Sequence, residues 1–105
     1  MKALAACALA LCATGAAADA LTDEGRRLFN GGVAPAPACA LCHALKDAGA
    51  GGAVGPNLDE LKPDAGRVEQ ALRNGMGPMP AFRNLSDEQV SLLSRYVARA
   101  SGAAP

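Results

Sequence analysis

Two cysteines and a histidine stand together in Cys39-Ala40-Leu41-Cys42-His43, which has the C-x-x-C-H spacing of covalent c-type haem attachment. Two thiols three residues apart lie on one turn of a helix, so both can reach the two vinyl groups on one porphyrin edge. His43 follows directly and can offer an imidazole nitrogen to the iron as an axial ligand. The spacing therefore predicts one haem c, attached through Cys39 and Cys42 and ligated by His43.

Three other uses of a C-x-x-C pair fit the rest of the chain less well. A thioredoxin-like redox pair usually follows a strand in a βαβ unit, and no strand pattern precedes Cys39. A tetrahedral zinc site normally needs four ligands, whereas the chain beyond residue 18 offers only two thiols and one histidine. A structural disulfide would close a very tight loop. Haem attachment is the interpretation that these comparisons favour.

A second candidate ligand lies in the stretch Gly75-Met76-Gly77-Pro78-Met79-Pro80. Two prolines and two glycines make this segment an irregular loop. A methionine in a helix is usually core filler, but one that stands between prolines in a stiff loop has less reason to be there for packing. Either Met76 or Met79 can therefore occupy the sixth position of the iron.

The segment Gly55-Pro56-Asn57-Leu58 has two interpretations. It can be an ordinary turn. Alternatively, a backbone carbonyl here, such as that of Pro56, accepts a hydrogen bond from the second ring nitrogen of His43, which would fix its tautomer and raise its basicity. The spacing alone favours neither.

The elements that must position these residues are predicted to be helices. Thr22 is expected to cap a first helix that stops at Asn30-Gly31-Gly32, and Ala44 to Lys46 to form a short helical tail after the motif. A loop over 47–55 follows. Further helices are expected from Pro63-Asp64 to Asn74-Gly75, and from Ser86, whose capping box with Gln89 is a strong start signal, to Ser101-Gly102. With no strand pattern and no internal repeat, the chain is predicted to be all-α.

The first residues are predicted to be a secretory signal peptide. Met1-Lys2 is a short positive start, residues 3–13 are apolar, and Ala16-Ala17-Ala18 is a small-residue cleavage signal. We expect cleavage after residue 18, or two residues later after 20, and a periplasmic domain over 19–105. The apolar run is too short to span a membrane, so no membrane insertion is expected. Cys7 and Cys12 fall inside the signal and do not form a convincing lipoprotein box.

Composition points to a cofactor-filled core. The aromatic residues are Phe29, Phe82 and Tyr96, and there is no tryptophan. A domain this small and this poor in large side chains usually needs a staple, and a buried porphyrin would supply the missing apolar volume. The chain has ten basic and ten acidic residues and no basic stripe, so nucleic acid is not an expected partner.

Taken together, these residues resemble the class I c-type cytochromes, the small monohaem family, over nearly the whole domain. In that family an N-terminal helix with Gly and an aromatic residue crosses a C-terminal helix with Leu-x-x-Tyr, here Gly25, Phe29, Leu93 and Tyr96. The resemblance implies a small cytochrome c fold of three to four helices wrapped around one covalent haem.

The same resemblance assigns further site residues. The family's Gly-Pro-x-Leu segment supports the proximal histidine and corresponds to 55–58, so Pro56 and Leu58 are expected in the haem pocket. The family's Gly-x-Met-Pro-x-aromatic loop matches residues 77–82, which selects Met79 as the distal ligand and places Phe82 in the pocket. The tryptophan that holds a haem propionate in some members is absent, and the sequence leaves Arg67, Arg73 or another donor for that role.

A narrower resemblance links the chain to the haem subunit of periplasmic sulfite dehydrogenases. It rests on residues 45–50, 55–63 and 71–75, and related free-standing cytochromes share much of the pattern. It implies a molybdenum-containing, sulfite-oxidising subunit as one candidate among redox partner proteins.

Ligation by both His43 and Met79 would leave no iron position for a substrate, which predicts an electron carrier cycling between Fe(III) and Fe(II) and not an enzyme. Methionine ligation raises the reduction potential relative to bis-histidine ligation. Three functions stay open: an electron-accepting subunit of a sulfite dehydrogenase, a free-standing soluble shuttle to an oxidase or reductase, and, less favoured, a haem sensor or peroxidase-like enzyme that works by losing Met79.

Overall fold

The computed structural model describes residues 20–104. The predicted signal peptide over 1–18, its cleavage site and the two cysteines within it lie outside these described residues. Within 20–104, no helix combines the length and the apolar character needed to cross a membrane.

The described chain is mainly helical, which confirms the all-α prediction. Helix α1 covers 20–31, and it is followed by two 3₁₀ turns, η1 and η2, that alternate with the two short strands β1 and β2. Three more helices complete the fold. In chain order the elements after α1 are η1 Cys39–Leu41, β1 Ala44–Leu45, η2 Lys46–Ala48, β2 Ala50–Gly51, α2 Leu58–Leu61, α3 Ala65–Asn74 and α4 Asp87–Ser101.

The segment after the cysteine motif differs from the prediction. Ala44 to Lys46 is not a helical tail: β1 pairs antiparallel with β2, with Leu45 opposite Ala50. The side chain of Leu45 is completely buried, and the backbone N–H of Lys46 donates to Asp59 Oδ2 at 2.8 Å instead of continuing a helix. Strands of two residues are too short for an alternating pattern to reveal them in the sequence.

The ends of the longer helices follow the predicted signals. Ser86 and Gln89 form the capping box of α4, and Asp64 accepts a hydrogen bond from Arg67 N at the start of α3. Thr22 does not cap α1, because residue 20 is already helical. Helix α1 ends where Gly32 takes a positive φ of 66° and donates its N–H to Leu28 O.

The core forms where α1 crosses α4. A Cβ on Gly25 would lie 2.5 Å from the Cβ of Tyr96, so only glycine lets the helices approach this closely. One turn on, the rings of Phe29 and Tyr96 meet edge to face at 6.2 Å between centroids. Helix α3 also packs against α4. The buried core side chains are Phe29, Leu45, Leu58, Leu72, Phe82, Val90, Leu93, Tyr96 and Val97.

Candidate haem site

One side of this core opens into a cavity of about 290 Å³. Its floor is made of core side chains from α1, α3 and α4, among them Phe29, Leu72, Leu93 and Val97. Every site residue predicted from the sequence lines this same cavity: Cys39, Cys42, His43, Pro56, Leu58, Met79 and Phe82. Predicted site residues from three separate stretches of the chain are thus gathered around one apolar space.

The two thiols lie on the tight turn of η1. The backbone N–H groups of Cys42 and His43 both donate to Cys39 O, at 3.1 and 3.0 Å, which holds the motif as a single compact turn. Both cysteines are half-buried and neither is disulfide-bonded. Burial raises the pKa of the Cys39 thiol to about 11, whereas a redox-active C-x-x-C pair depends on a lowered thiol pKa. The raised Cys39 pKa therefore gives no support to the thioredoxin-like interpretation.

His43 is held by the backbone of the segment that follows it. Its Nδ1 lies 2.8 Å from Pro56 O, and because a carbonyl can only accept, Nδ1 is the nitrogen that carries the proton. Nε2 is then the ring nitrogen with a lone pair to offer. The hydrogen-bond interpretation of the Gly-Pro segment agrees with this geometry.

Gly55 and Gly52 let the loop that follows β2 pass directly over the motif. A Cβ on Gly55 would lie 2.5 Å from His43 Cε1, and one on Gly52 would lie 2.6 Å from the carbonyl carbon of Cys42. Gly55 N also donates to Cys42 O at 2.6 Å. The close approach of Gly52 to the motif was not predicted from the sequence. The glycine-rich composition of 49–55 is the only signal that could have indicated it.

The methionine loop is a tight turn closed on itself. Met76 and Met79 each donate their N–H to the other's carbonyl, both at 2.9 Å, with Gly77 at a positive φ of 55° between them. Both side chains line the cavity. Met79 is half-buried and packs against the core, whereas Met76 is exposed. Packing therefore favours Met79 as the side chain that is held in place.

Two further hydrogen bonds anchor this loop. Phe82 N donates to Leu72 O at 2.7 Å, which fixes the loop's end on α3. The Asn84 side chain donates to Val33 O at 2.5 Å, tying the distal loop to the proline-containing segment that leads into Cys39. Asn84 was not predicted from the sequence, since its partner is a backbone atom 51 residues away.

The two arginines left open by the sequence are in different places. Arg67 lies along the cavity. Arg73 is held in ion pairs with Glu69 at 3.1 Å and Asp87 at 2.9 Å and is not part of the lining. Among the described residues, Arg67 is the one cationic side chain on the cavity wall.

A polar network behind the site joins α1, η2 and α4. Tyr96 donates its hydroxyl to Asp47 Oδ2 at 2.7 Å, and Arg26 pairs with the same oxygen at 3.1 Å. The hydrogen bond from Tyr96 is the main cause of a lowered Asp47 pKa, with Arg26 adding to it. Burial and the Asp47 contact raise the Tyr96 pKa. This network fixes the helix crossing on which the cavity floor depends.

The residues present fit a covalent haem. Two unbridged thiols, an imidazole with a free Nε2 and a packed thioether line one apolar cavity, as the cofactor requires. By contrast, no three His, Cys, Asp or Glu side chains of residues 20–104 are gathered so that they could hold a metal ion, which is the arrangement a zinc site would need.

Comparison with known proteins agrees with this site. The family described as cytochrome c oxidase, cbb3-type, subunit III matches residues 20–97. Among solved structures, the chain is similar to the c-type cytochrome SorU from Sinorhizobium meliloti, with 49% sequence identity and a TM-score of 0.73 over 81% of this chain and 95% of that one. No curated protein matches the sequence.

The family match covers most of the chain, including the C-x-x-C-H motif and the methionine loop. The expected class I resemblance and the haem c cofactor are thereby confirmed. The chain belongs to the cytochrome c family, binds haem c covalently and is an electron carrier, not an enzyme.

Proposed function

We propose that the haem is attached through Cys39 and Cys42, that His43 is the proximal ligand, and that Met79 is the distal ligand. The observation that carries this assignment is that all four side chains line one cavity. Packing separates the two methionines, because Met79 is held against the core while Met76 is mostly exposed.

The haem supplies a one-electron Fe(III)/Fe(II) couple, and the protein's residues set the conditions in which it works. Pro56 O holds the Nδ1 proton of His43, which leaves the lone pair of Nε2 to bind the iron. Leu58, Phe82 and the floor side chains exclude water, which favours the less charged ferrous state. Ligation of the iron by both His43 and Met79 would leave no position on it for a substrate.

Arg67 completes this assignment. As the cationic side chain on the cavity wall, it would pair with a haem propionate, while Arg73 is already engaged by Glu69 and Asp87.

Replacing Met79 with Ala should remove the weak far-red sulfur-to-iron band of the ferric protein and lower the reduction potential. The reason is that the thioether is lost from the iron, and methionine ligation is what raises the potential. Visible spectroscopy and a redox titration of the purified holoprotein measure both effects. The reduced variant should also bind carbon monoxide, since its sixth position is open.

Met76→Ala is the matched control, because it removes the same side chain from the other end of the same turn. It should keep the far-red band and stay within the potential of the parent protein. If Met76→Ala lost the band and Met79→Ala kept it, the distal assignment would be wrong.

The proposed setting is the periplasm, with a sulfite-oxidising, molybdenum-containing dehydrogenase as the electron donor. Support comes from the signal-like residues 1–18 and from the stretches 45–50, 55–63 and 71–75, which resemble the haem subunit of such dehydrogenases. Sulfite loses two electrons on oxidation to sulfate, so each turnover would need two successive one-electron reductions of the carrier.

The partner is tested with the untagged chain in its native periplasm. A stable subunit should co-purify with a molybdenum enzyme, and sulfite added to that fraction should reduce the haem. Recovery of the chain alone, with no sulfite-dependent reduction, would favour a free-standing shuttle. N-terminal sequencing of the mature protein should find a start after residue 18 or 20, and an uncleaved chain in the cytoplasm would contradict the location.

A further inference from the structure

Part of the surface around the cavity carries no charged side chain. Three segments form it: 33–42 before and within the cysteine motif, 50–56 above His43, and 75–80 in the methionine loop. We call these three segments the neutral face. None of them contains Asp, Glu, Lys or Arg, although the chain has twenty such residues. All three contribute lining residues to the same cavity, so they are neighbours in space.

The neutral face also carries the most exposed large apolar side chains of residues 20–104. The three most exposed large apolar side chains in 20–104 are Val54 at 76%, Leu41 at 67% and Met76 at 64%, one on each segment. Leu41 is not part of the cavity lining, so a group in the cavity does not cover it. Large apolar side chains exposed around one cavity in this way are typical of interaction sites.

Charged residues of the described chain lie outside this face, and many are already paired. Arg26 pairs with Asp23 and Asp47. Arg73 pairs with Glu69 and Asp87. Arg67 is the one charged side chain on the cavity wall, and it lies on α3, outside the three segments.

We propose that the neutral face docks a redox protein whose own electron-exchanging centre opens on an uncharged, apolar surface. This inference rests on the proposed electron-carrier function and adds the chemistry of its partner. Charge complementarity supports this, because a charged partner side chain buried against the neutral face would lose its hydrating water and gain no counter-ion. The desolvation free energy of such a charge would be left uncompensated. Association here is driven by apolar contact, so it lacks the electrostatic steering that makes rates fall with salt.

The first test measures charge at the electron-exchange surface with two inorganic oxidants. The reduced holoprotein gives one electron to ferricyanide, an anion, or to tris(phenanthroline)cobalt(III), a cation, and stopped-flow spectroscopy follows the haem. Between low ionic strength and about 0.5 M, where exposed charges are screened, both rate constants should change by less than about threefold. Steep slopes of opposite sign for the two oxidants would overturn the proposal.

Leu41→Lys places a cation on the neutral face, and Leu21→Lys is the matched control because Leu21 is an exposed leucine on α1. At low ionic strength Leu41→Lys should speed ferricyanide and slow the cobalt complex by at least about threefold, with both effects lost at high salt. Leu21→Lys should change neither rate as much. Equal effects of the two variants would contradict the assignment of the face. Mass spectrometry confirms that each variant carries its haem, and Val54→Lys replaces Leu41→Lys if that variant does not.

The second test uses two copper proteins as probes, one whose copper opens on an uncharged apolar face and one whose copper is flanked by acidic residues. Each Cu(II) accepts one electron from the reduced chain and becomes Cu(I). The uncharged probe should react faster, with little dependence on salt, and Leu41→Lys should slow it. A faster, salt-sensitive reaction with the acidic probe would overturn the proposal. Sedimentation would also overturn it if the chain formed a stable dimer that Leu41→Lys dissociates. No electron exchange with any reagent would instead mean that the proposed function itself fails.

Discussion

At the scale of single residues, the position of His43 depends on Gly55 having no side chain. Gly55 passes so close to the imidazole that a Cβ would lie 2.5 Å from Cε1 and 2.9 Å from Nδ1, distances at which one group must move. The neighbouring Pro56 O holds the Nδ1 proton. The glycine and the carbonyl therefore act together, one leaving room for the ring and the other orienting it.

Gly55→Ala should displace the His43 ring and disturb the proposed ligation of the haem iron by this residue. Overpacking of this kind costs about 1–3 kcal/mol of stability, and loss of an outer hydrogen bond weakens metal binding further. Denaturant unfolding and the visible spectrum of the holoprotein measure the two effects. Gly51→Ala is the control, because a Cβ there meets nothing within 4 Å. Equal stability and identical spectra for both variants would show that the Gly55 contact does not constrain the ring.

The residues of the site were more predictable than the contacts that hold them. Cys39, Cys42 and His43 can be recognised in the sequence because covalent haem attachment requires fixed residue types at a fixed spacing. Asn84 and Gly52 cannot be recognised in this way, since each contacts backbone atoms of another segment. Their local sequence does not indicate which segment that is. Met79 could be separated from Met76 only by family resemblance, until the structure added the difference in burial.

At the scale of elements, the longer helices were predicted and the short pieces were not. Helix α4 has a capping box, a 3.6-residue apolar period and a terminal glycine, which all point to the same boundaries. Strands β1 and β2 and helix α2 have two to four residues. They form because Leu45 is buried and the Lys46 N–H donates a hydrogen bond to Asp59. Both are tertiary contacts that leave no pattern in the local sequence.

The crossing of α1 and α4 yields a prediction for Gly25. Gly25→Ala should destabilise the holoprotein by about 1–3 kcal/mol, because the new Cβ would meet Tyr96 at 2.5 Å and force the helices apart. Gly31→Ala, in the same helix, meets nothing within 4 Å and should be neutral or slightly stabilising, since alanine favours helix. Thermal unfolding of both variants gives the comparison, and a Gly25→Ala protein as stable as Gly31→Ala would rule out close packing at this point.

Because of the Tyr96–Asp47 hydrogen bond, the free energy of unfolding should vary with pH in the acid range. The folded-state pKa of Asp47 is lowered below its ordinary 3.8, first by Tyr96 and then by Arg26. A lowered carboxyl pKa contributes stability above the unfolded pKa, and the contribution is lost as pH falls through the folded value. Tyr96→Phe should therefore cost about 1 kcal/mol at neutral pH, a modest value because Asp47 is 37% exposed.

The cost of Tyr96→Phe should shrink as the pH falls from 3.8 through the lowered folded-state pKa of Asp47, below which the carboxyl is protonated in both proteins. Denaturant unfolding of the parent and the variant at several pH values between neutral and strongly acid measures this difference. A cost that stays constant across the range would mean that the tyrosine ring, and not its hydroxyl, accounts for the effect.

At the scale of the whole molecule, the cavity proposed for the haem and the core share side chains. The side chains that form the cavity floor, among them Phe29, Leu72 and Val97, are also core residues. The composition predicts that a cofactor completes the core, since a small chain with three aromatic residues and no tryptophan usually needs a staple. What composition could not give is where the opening lies, because that depends on how α3 and the methionine loop fold over α4.

The size of the opening predicts how far folding depends on the haem. At about 24 cal/mol per Å³, an empty apolar cavity of about 290 Å³ corresponds to at most about 7 kcal/mol, with water filling the open mouth reducing this. Total stability of a domain is only about 5–15 kcal/mol, so the loss would remove much of it.

Replacing both Cys39 and Cys42 with Ala should therefore leave little folded protein, which would be seen as weak helical circular dichroism and rapid proteolysis. The control is the parent chain expressed without haem: it should behave like the double variant, because the missing volume and not the missing thiols is the cause. A helical, cooperatively unfolding double variant would show that the polypeptide closes its core unaided, and the dependence argued here would be wrong.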